Sequence, residues 1–283
     1  MKKLLVLILS MITVIGGTFA FSACNGNENG TMIVKDLILV KEEYGIAGRK
    51  QDKAFVSEIN NALIELCKNG TLKSVAEKYG LQSDVAVTES TVNPLADAAD
   101  ESFEKIKQSG KVIIGYTVYA PIAYTDEKGE FVGFDIDLAK ETIKYISEKC
   151  GTELKVEFQL IQWSAKEANL NEGTIDLIWN GLTIDDGRKE NMCISVPYLY
   201  NNQVAVIRVA DEAKYTKDTS TFASAIMGYE KGSAGEDVAL NKNFGKEKLS
   251  FKSQLDAFNQ LKAGTVDIVI IDSVMANYYI SQN

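Results

Sequence analysis

The stretch Asp176-Leu177-Ile178-Trp179-Asn180-Gly181-Leu182-Thr183-Ile184-Asp185-Asp186-Gly187-Arg188 organises the reading of this chain. The apolar run after Asp176 reads as a short buried strand, Asn180-Gly181 breaks it, and Thr183 to Asp186 matches a helix start with Arg188 in the first turn. Backbone N–H groups at such a turn, the Thr183 hydroxyl and the Arg188 guanidinium would donate toward one point. That arrangement suits a ligand carboxylate gripped by two parallel bonds from the arginine. A capped surface helix with a solvated arginine is the alternative reading of the same residues.

Toward the C-terminus the same grammar recurs. Lys231-Gly232-Ser233-Ala234-Gly235-Glu236 follows a short strand, and Ser233 with Glu236 has capping-box spacing, which marks a second helix start and a second anion position. Ile268-Val269-Ile270-Ile271 is a β-branched run that predicts a strand buried on both faces and ending at Asp272. A carboxylate at the carboxyl end of such a strand lies where open α/β sheets bind ligands, and an ammonium would compensate its burial. Capping of the following helix is the alternative role for Asp272.

Upstream, Val112-Ile113-Ile114 reads as a strand, Asp135 opens a long helix, and Leu154 to Phe158 alternates as a half-exposed strand. Strands alternating with helices imply a largely parallel sheet covered on both faces. Residues 34 to 49 read as two strands or a strand and a crossing segment. Asp52 could cap a helix with Phe55, Ile59, Ala62, Leu63 and Leu66 on one face, and a shorter helix runs from Thr71 to Tyr79. Residues 81 to 100 lack periodicity and read as a linker.

The 283-residue chain is long enough for two lobes with real cores, and 46% hydrophobic against 24% charged residues makes it globular. Residues 1–23 read as a secretion signal: Lys2 and Lys3 precede an uncharged run that ends in Phe21-Ser22-Ala23. Removing them leaves 28 basic against 39 acidic residues, a net charge of −11, which argues against nucleic-acid partners. The sequence contains no histidine, which removes His-ligated metal sites and the commonest general base. Cys67, Cys150 and Cys193 form no CxxC pair and read as small apolar residues.

These pieces together resemble the solute-binding proteins of polar amino-acid ABC transporters (extracellular solute-binding protein family 3). The resemblance rests on Gly110-Lys111-Val112-Ile113-Ile114-Gly115, Tyr119-Ala120-Pro121, Gly129 to Ala139, Asn180-Gly181-Leu182-Thr183 with Arg188, Pro197-Tyr198, Gly232-Ser233 with Glu236, and Ile271-Asp272, all in family order. The order then breaks. The strand resembling Glu43-Tyr44-Gly45-Ile46 and the helices of residues 53 to 79 come last in the family and first here. The resemblance therefore implies an α/β, two-lobed, type II periplasmic-binding-protein-like fold with a hinge between the lobes, in circularly permuted order. Its parts are a signal (1–23), a lipidated cysteine and tether (24–33), a segment equivalent to the family's C-terminal end (34–88), a linker (89–100), lobe 1 (101–205, completed by 45–80) and lobe 2 (206–283, completed by 34–44). A remnant of a tandem repeat, completed by swapping between chains, is the rival explanation. Closure within one chain is favoured because residues 81 to 100 span roughly 20 Å even as a coil.

The resemblance also implies function. A free amino acid is captured between the lobes by a monomer and delivered to ABC permease subunits, with no enzyme activity, cofactor, metal or nucleic acid involved. Its α-carboxylate would lie on Arg188, Thr183, Ser233 and the Ala234 N–H, and its ammonium on Asp272, the Gly181 carbonyl and the Thr183 hydroxyl. Tyr119 would cover the ligand side chain, with Trp163 and Trp179 as further walls beside Asn180. The Phe-Ser-Ala-Cys ending resembles a bacterial lipobox. Cys24 would then carry a lipid and hold the protein at the outer face of the cell membrane or in the periplasm. Tyr116 and Thr117 stand near where a family carboxylate is often found, which favours a neutral polar or sulfur-containing side chain over a basic one. A ligand-binding sensor and a dehydratase-like enzyme on the same fold are the competing functions.

Overall fold

Two long antiparallel strands carry the chain between its lobes, and the sheet is built outward from them. The computed structural model describes residues 30–282. The signal, Cys24 and most of the tether lie outside the described residues.

The chain opens with β1 (Thr31–Ile33) and β2 (Val40–Arg49), followed by α1 (Lys53–Lys68) and α2 (Thr71–Lys78). After residues 81–100 come α3 (Ser102–Ser109), β3 (Lys111–Tyr116), a small hairpin of β4 (Tyr124–Thr125) and β5 (Phe131–Val132), α4 (Phe134–Cys150) and β6 (Lys155–Leu160). Next are α5 (Lys166–Glu172), β7 (Leu177–Thr183), α6 (Asp186–Asn191), β8 (Met192–Ile194) and β9 (Leu199–Arg208). The chain ends with β10 (Ile226–Glu230), α7 (Ala234–Asn241), β11 (Glu247–Phe251), α8 (Gln254–Lys262), β12 (Ile268–Asp272) and α9 (Ser273–Ser281).

One curled sheet runs β11-β10-β12-β9-β2-β7-β3-β6, with β1 on β9 and β8 on β2. It is mixed rather than largely parallel. Pairs within each lobe are parallel (β3 with β6 and β7, β10 with β11 and β12), and β2 and β9 run antiparallel to their neighbours. Val40–Tyr44 pairs with Gln203–Leu199, beyond which β2 continues onto β7 and β8 while β9 pairs with β12. This overlap is the hinge. Residues 34 to 49 thus hold one ten-residue crossing strand, and the apolar Leu37-Ile38-Leu39 precedes it instead of forming a strand of its own.

The helices ahead of residue 81 pack on those that follow residue 100. Phe55, Ile59, Ala62, Leu63 and Leu66 recur at helical spacing and are all buried, and α1 packs on α4. The Phe, Ile and Leu side chains among them contribute about 1.5–3 kcal/mol each on burial. Asp52 makes no side-chain cap bond; it pairs with Arg49 at 2.8 Å. Residues 81–100 begin by joining the hinge: Tyr200 N donates to Asp84 O at 2.6 Å and Ala86 N to Tyr198 O at 3.0 Å.

The two lobes are tied by matching devices. Asp176, before β7, accepts from Ile113 N at 2.9 Å and pairs with Arg49 at the end of β2 at 3.1 Å. Asp267, before β12, accepts from Ile226 N at 2.9 Å and pairs with Arg208 at the end of β9 at 3.1 Å. Each crossing strand therefore ends in an arginine locked to the aspartate of the lobe it enters.

Asn180-Gly181 does not end β7. The register on β2 moves from Gly45–Leu182 to Ala47–Ile178, so the strand bulges through Trp179–Gly181 and continues to Thr183. Gly181 has φ +65°, and a Cβ there would lie 2.9 Å from the Tyr119 ring and 3.0 Å from the Tyr44 ring, which leaves glycine as the residue that fits. The helix begins later than expected, at Asp186, with Asp185 accepting from Arg188 N as its cap. Cys67 and Cys150 are half-buried, Cys193 is buried, and all three are free thiols.

Candidate functional site

The bulge of β7, the heads of α6 and α7, and the end of β12 converge on one cavity between the lobes. Thr117, Tyr119, Trp163, Asn180, Gly181, Thr183 and Arg188 line it from lobe 1, and Glu230, Ser233, Ala234, Gln254 and Asp272 from lobe 2. The centre of a water molecule can reach about 10 Å³ of it, so the lobes are closed on each other. Lys166 latches the rim, its Nζ donating to the Gly232 carbonyl at 3.0 Å. Burial and the nearby Arg188 charge lower the Lys166 pKa to about 8.

Arg188 is 7% exposed. Its Nη1 donates to the Thr183 carbonyl at 2.7 Å and its Nε lies 3.1 Å from Asp185, which holds the guanidinium at the cavity edge. At the head of the six-residue α6, Asp185 takes the Arg188 N–H at 2.8 Å, so its carboxylate stands beside the guanidinium at the anion seat expected there. Ser233 caps α7 as its spacing predicts, accepting from Glu236 N at 3.3 Å, while Glu236 accepts from Gly232 N at 2.7 Å. The Ser233 hydroxyl proton goes to the Glu230 carbonyl at 2.8 Å.

Opposite Arg188 lies an acidic half. Asp272 ends β12 and makes no cap bond to α9; its carboxylate accepts from Asn201 Nδ2 at 2.6 Å, from Gln203 Nε2 at 2.7 Å and from Gln254 Nε2. Glu42, on the hinge segment of β2, accepts from the same two amides at 2.5 and 2.8 Å and from the Thr183 hydroxyl at 3.1 Å. Burial, with Asp272's charge beside it, pushes Glu42 up to about 8. Glu230 is 4% exposed, its Oε1 has no hydrogen-bond partner among the described residues, and burial followed by the Asp272 charge raises it to about 8.

A buried scaffold positions the bulge. Gly181 N donates to Asp135 at 3.0 Å, Tyr198 OH donates to the same oxygen at 2.8 Å, and burial raises Asp135 to about 7. Asn180 Nδ2 donates to Thr117 Oγ1 at 2.9 Å, and the Tyr119 and Tyr44 hydroxyls bond at 2.8 Å. Tyr119, Asn180, Gly181, Thr183, Arg188, Ser233, Ala234 and Asp272 therefore meet at one place. Trp179 does not: it is 1% exposed and packs in the core edge-on to Tyr198, whereas Trp163 lines the cavity. Sequence reasoning missed Glu42, Asp135, Glu230 and Gln254. Glu230 adjoins the Lys231-Gly232-Ser233 turn and had a local signal. Glu42 had none, because its neighbours come from distant elements.

The description "bacterial extracellular solute-binding proteins, family 3" matches residues 111–260. The chain belongs to this family. Among its relatives, a probable histidine-binding protein of Neisseria gonorrhoeae is 28% identical over 168 residues, 58% of this chain and 59% of the relative, so the chain spans less than two thirds of that protein. A glutamine-binding protein of Geobacillus stearothermophilus is 28% identical over 209 residues, 72% of this chain and 78% of the relative. Among solved structures, an ABC uptake transporter substrate-binding protein from Streptococcus pneumoniae with bound histidine superposes with a TM-score of 0.57 at 31% identity, over 64% of this chain and 74% of that one. The family 3 fold of this chain is two-lobed, like that neighbour's, with the cavity between the lobes.

Proposed function

We propose that this family 3 protein captures a free amino acid between its lobes and delivers it to an ABC importer, held at the outer face of the membrane by a lipid on Cys24. The observation that carries the reading is the placement of Arg188 on one lobe and Asp272 on the other across a single cavity. An α-amino acid carries both opposite charges on one carbon. Its carboxylate fits Arg188 with the Ala234 N–H and its ammonium fits Asp272 with the Gly181 carbonyl. Only a molecule bearing both ties the lobes together, which gives the ligand the differential affinity that closure requires. With about 10 Å³ open to water centres, the lobes separate along the Val40–Tyr44 and Leu199–Gln203 overlap to admit it. Tyr119 covers the side chain and Trp163 walls it.

The chain order is proposed to be a circular permutation closed within a monomer. Two features support this. The family match begins at residue 111, and the residues ahead of it supply the crossing strand β2 and the α1 face. Binding rather than turnover is the role proposed, in line with the relatives named as binding proteins.

Calorimetric titration with amino acids tests the reading. The native protein is expected to bind one or a few, and Arg188→Ala and Asp272→Asn each to lose at least about tenfold in affinity, the value of one charge-assisted bond. Unchanged affinity in both variants would remove the cleft from the function.

A further inference from the structure

The α-carboxylate and ammonium of an amino acid account for Arg188 and Asp272 and leave Glu230 unexplained. Glu230 ends β10, and its carbonyl is fixed by the Ser233 hydroxyl at 2.8 Å and the Ser233 N at 3.3 Å, so its place beside the cavity is set by the same turn that carries Ser233 and Ala234. Its side chain lines the cavity, is 4% exposed, and leaves Oε1 without a partner among the described residues. A carboxyl oxygen that deep and unpartnered is costly unless a donor meets it. The two cations beside the cavity have partners of their own, Arg188 in Thr183 and Asp185 and Lys166 in the Gly232 carbonyl; the Lys166 charge and a Gln254 hydrogen bond act on Glu230 but leave its Oε1 unpartnered among the described residues.

The neighbourhood of Glu230 points the same way. Asp272 lines the same lobe 2 wall, and its charge, after burial, holds the Glu230 carboxyl up at about 8. A ligand cation set against Glu230 would draw that carboxyl to its charged form and compensate its burial, which a neutral side chain cannot do. On lobe 1, Thr117, Tyr119 and Asn180 are uncharged, and the one cation of that wall, Arg188, is held by the Thr183 carbonyl and Asp185.

We infer that the ligand is an amino acid whose side chain carries a positive charge, and that Glu230 on lobe 2 receives that charge. The inference rests on the proposed function and deepens it. Tyr116 and Thr117 lack the carboxylate that a basic ligand calls for on lobe 1, and the sequence on that ground favoured a neutral side chain. Glu230 supplies the missing carboxylate from the opposite lobe. It acts as a specificity determinant, while Arg188 and Asp272 hold the part common to all amino acids.

The test is a comparison of dissociation constants for arginine, lysine, ornithine and histidine with those for glutamine, methionine and leucine, on native protein and on the near-isosteric Glu230→Gln. The native protein is expected to bind arginine, lysine or ornithine at least about tenfold more tightly than any neutral amino acid. Glu230→Gln should lose about 10- to 100-fold for the basic ligand, the worth of a charged hydrogen bond, and keep or improve its affinity for glutamine. Tighter binding of a neutral amino acid by the native protein overturns the inference and leaves the proposed function standing, as does a Glu230→Gln protein with unchanged selectivity. Failure of every amino acid in the panel to bind overturns both. The native comparison needs no variant, so misfolding of Glu230→Gln would not shield the inference.

Discussion

Glu42 is one of three buried carboxyls at or beside the cleft whose titration falls near neutral pH. It shares Asn201 and Gln203 with Asp272, and burial lifts its pKa from the ordinary 4.5 to about 8. Because the folded value lies above the unfolded one, the associated stability is complete below about pH 4.5 and is lost as the pH rises through about 8. Asp135, raised to about 7, and Glu230, raised to about 8, act in the same direction. Lys166 opposes them: its pKa is lowered to about 8, so its cost is greatest below that pH and fades above it. Three carboxyls outweigh one amine, so the melting temperature of the ligand-free protein should fall between pH 5 and 8. Glu42→Gln should flatten part of that fall, read by thermal denaturation across the pH range. An identical slope in the variant would contradict the assignment. Gly181 gives a second residue-scale prediction. Gly181→Ala forces a Cβ at φ +65° between two tyrosine rings, which should cost about 1–3 kcal/mol and weaken ligand binding, measured by urea unfolding and calorimetry.

At the scale of elements, regular patterns were legible and the irregular one was not. The α1 face from Phe55 to Leu66 follows helical spacing, and β12 is a continuous β-branched run buried along its length. Both were readable because burial imposes their period locally. Asn180-Gly181 carries the same local signal as a turn, yet the chain there is a bulge that stays in the sheet because β2 and Asp135 hold it from elsewhere. Ser233 at the head of α7 and Asp185 at the head of α6 show a related contrast. The capping box gave the first helix its start, whereas the second starts after Asp185 because that carboxylate takes the Arg188 N–H. The α1 face also predicts a coupling. Leu63→Ala, on a helix more than one hundred residues before β7, should destabilise lobe 1 by about 2–5 kcal/mol in chemical denaturation, since Leu63 is fully buried. A loss below about 0.5 kcal/mol would mean that α1 does not complete that core.

For the whole molecule, the segment ahead of residue 81 belongs to both lobes, since β2 passes from β9 to β7 and ends in Arg49 on Asp176 as β9 ends in Arg208 on Asp267. That matched pair was invisible in the sequence, where the partners are far apart, although both aspartates follow the same Gly-Thr-aliphatic pattern at Gly173-Thr174-Ile175 and Gly264-Thr265-Val266. If the order is a permutation, a gene encoding residues 101–282 followed by 31–100 should yield a monomer with the same ligand affinity; a soluble chain that no longer binds would count against it. The most direct test of amino-acid capture is a thermal-shift screen of the protein against the common amino acids, with Arg188→Ala beside it. Ligand at a thousand times its dissociation constant adds about 4 kcal/mol, which for a chain of this size raises the midpoint by roughly 8–16 °C. A shift of that size with one or a few amino acids, absent in Arg188→Ala, is the expected result. A cooperative melt that no amino acid moves would contradict it.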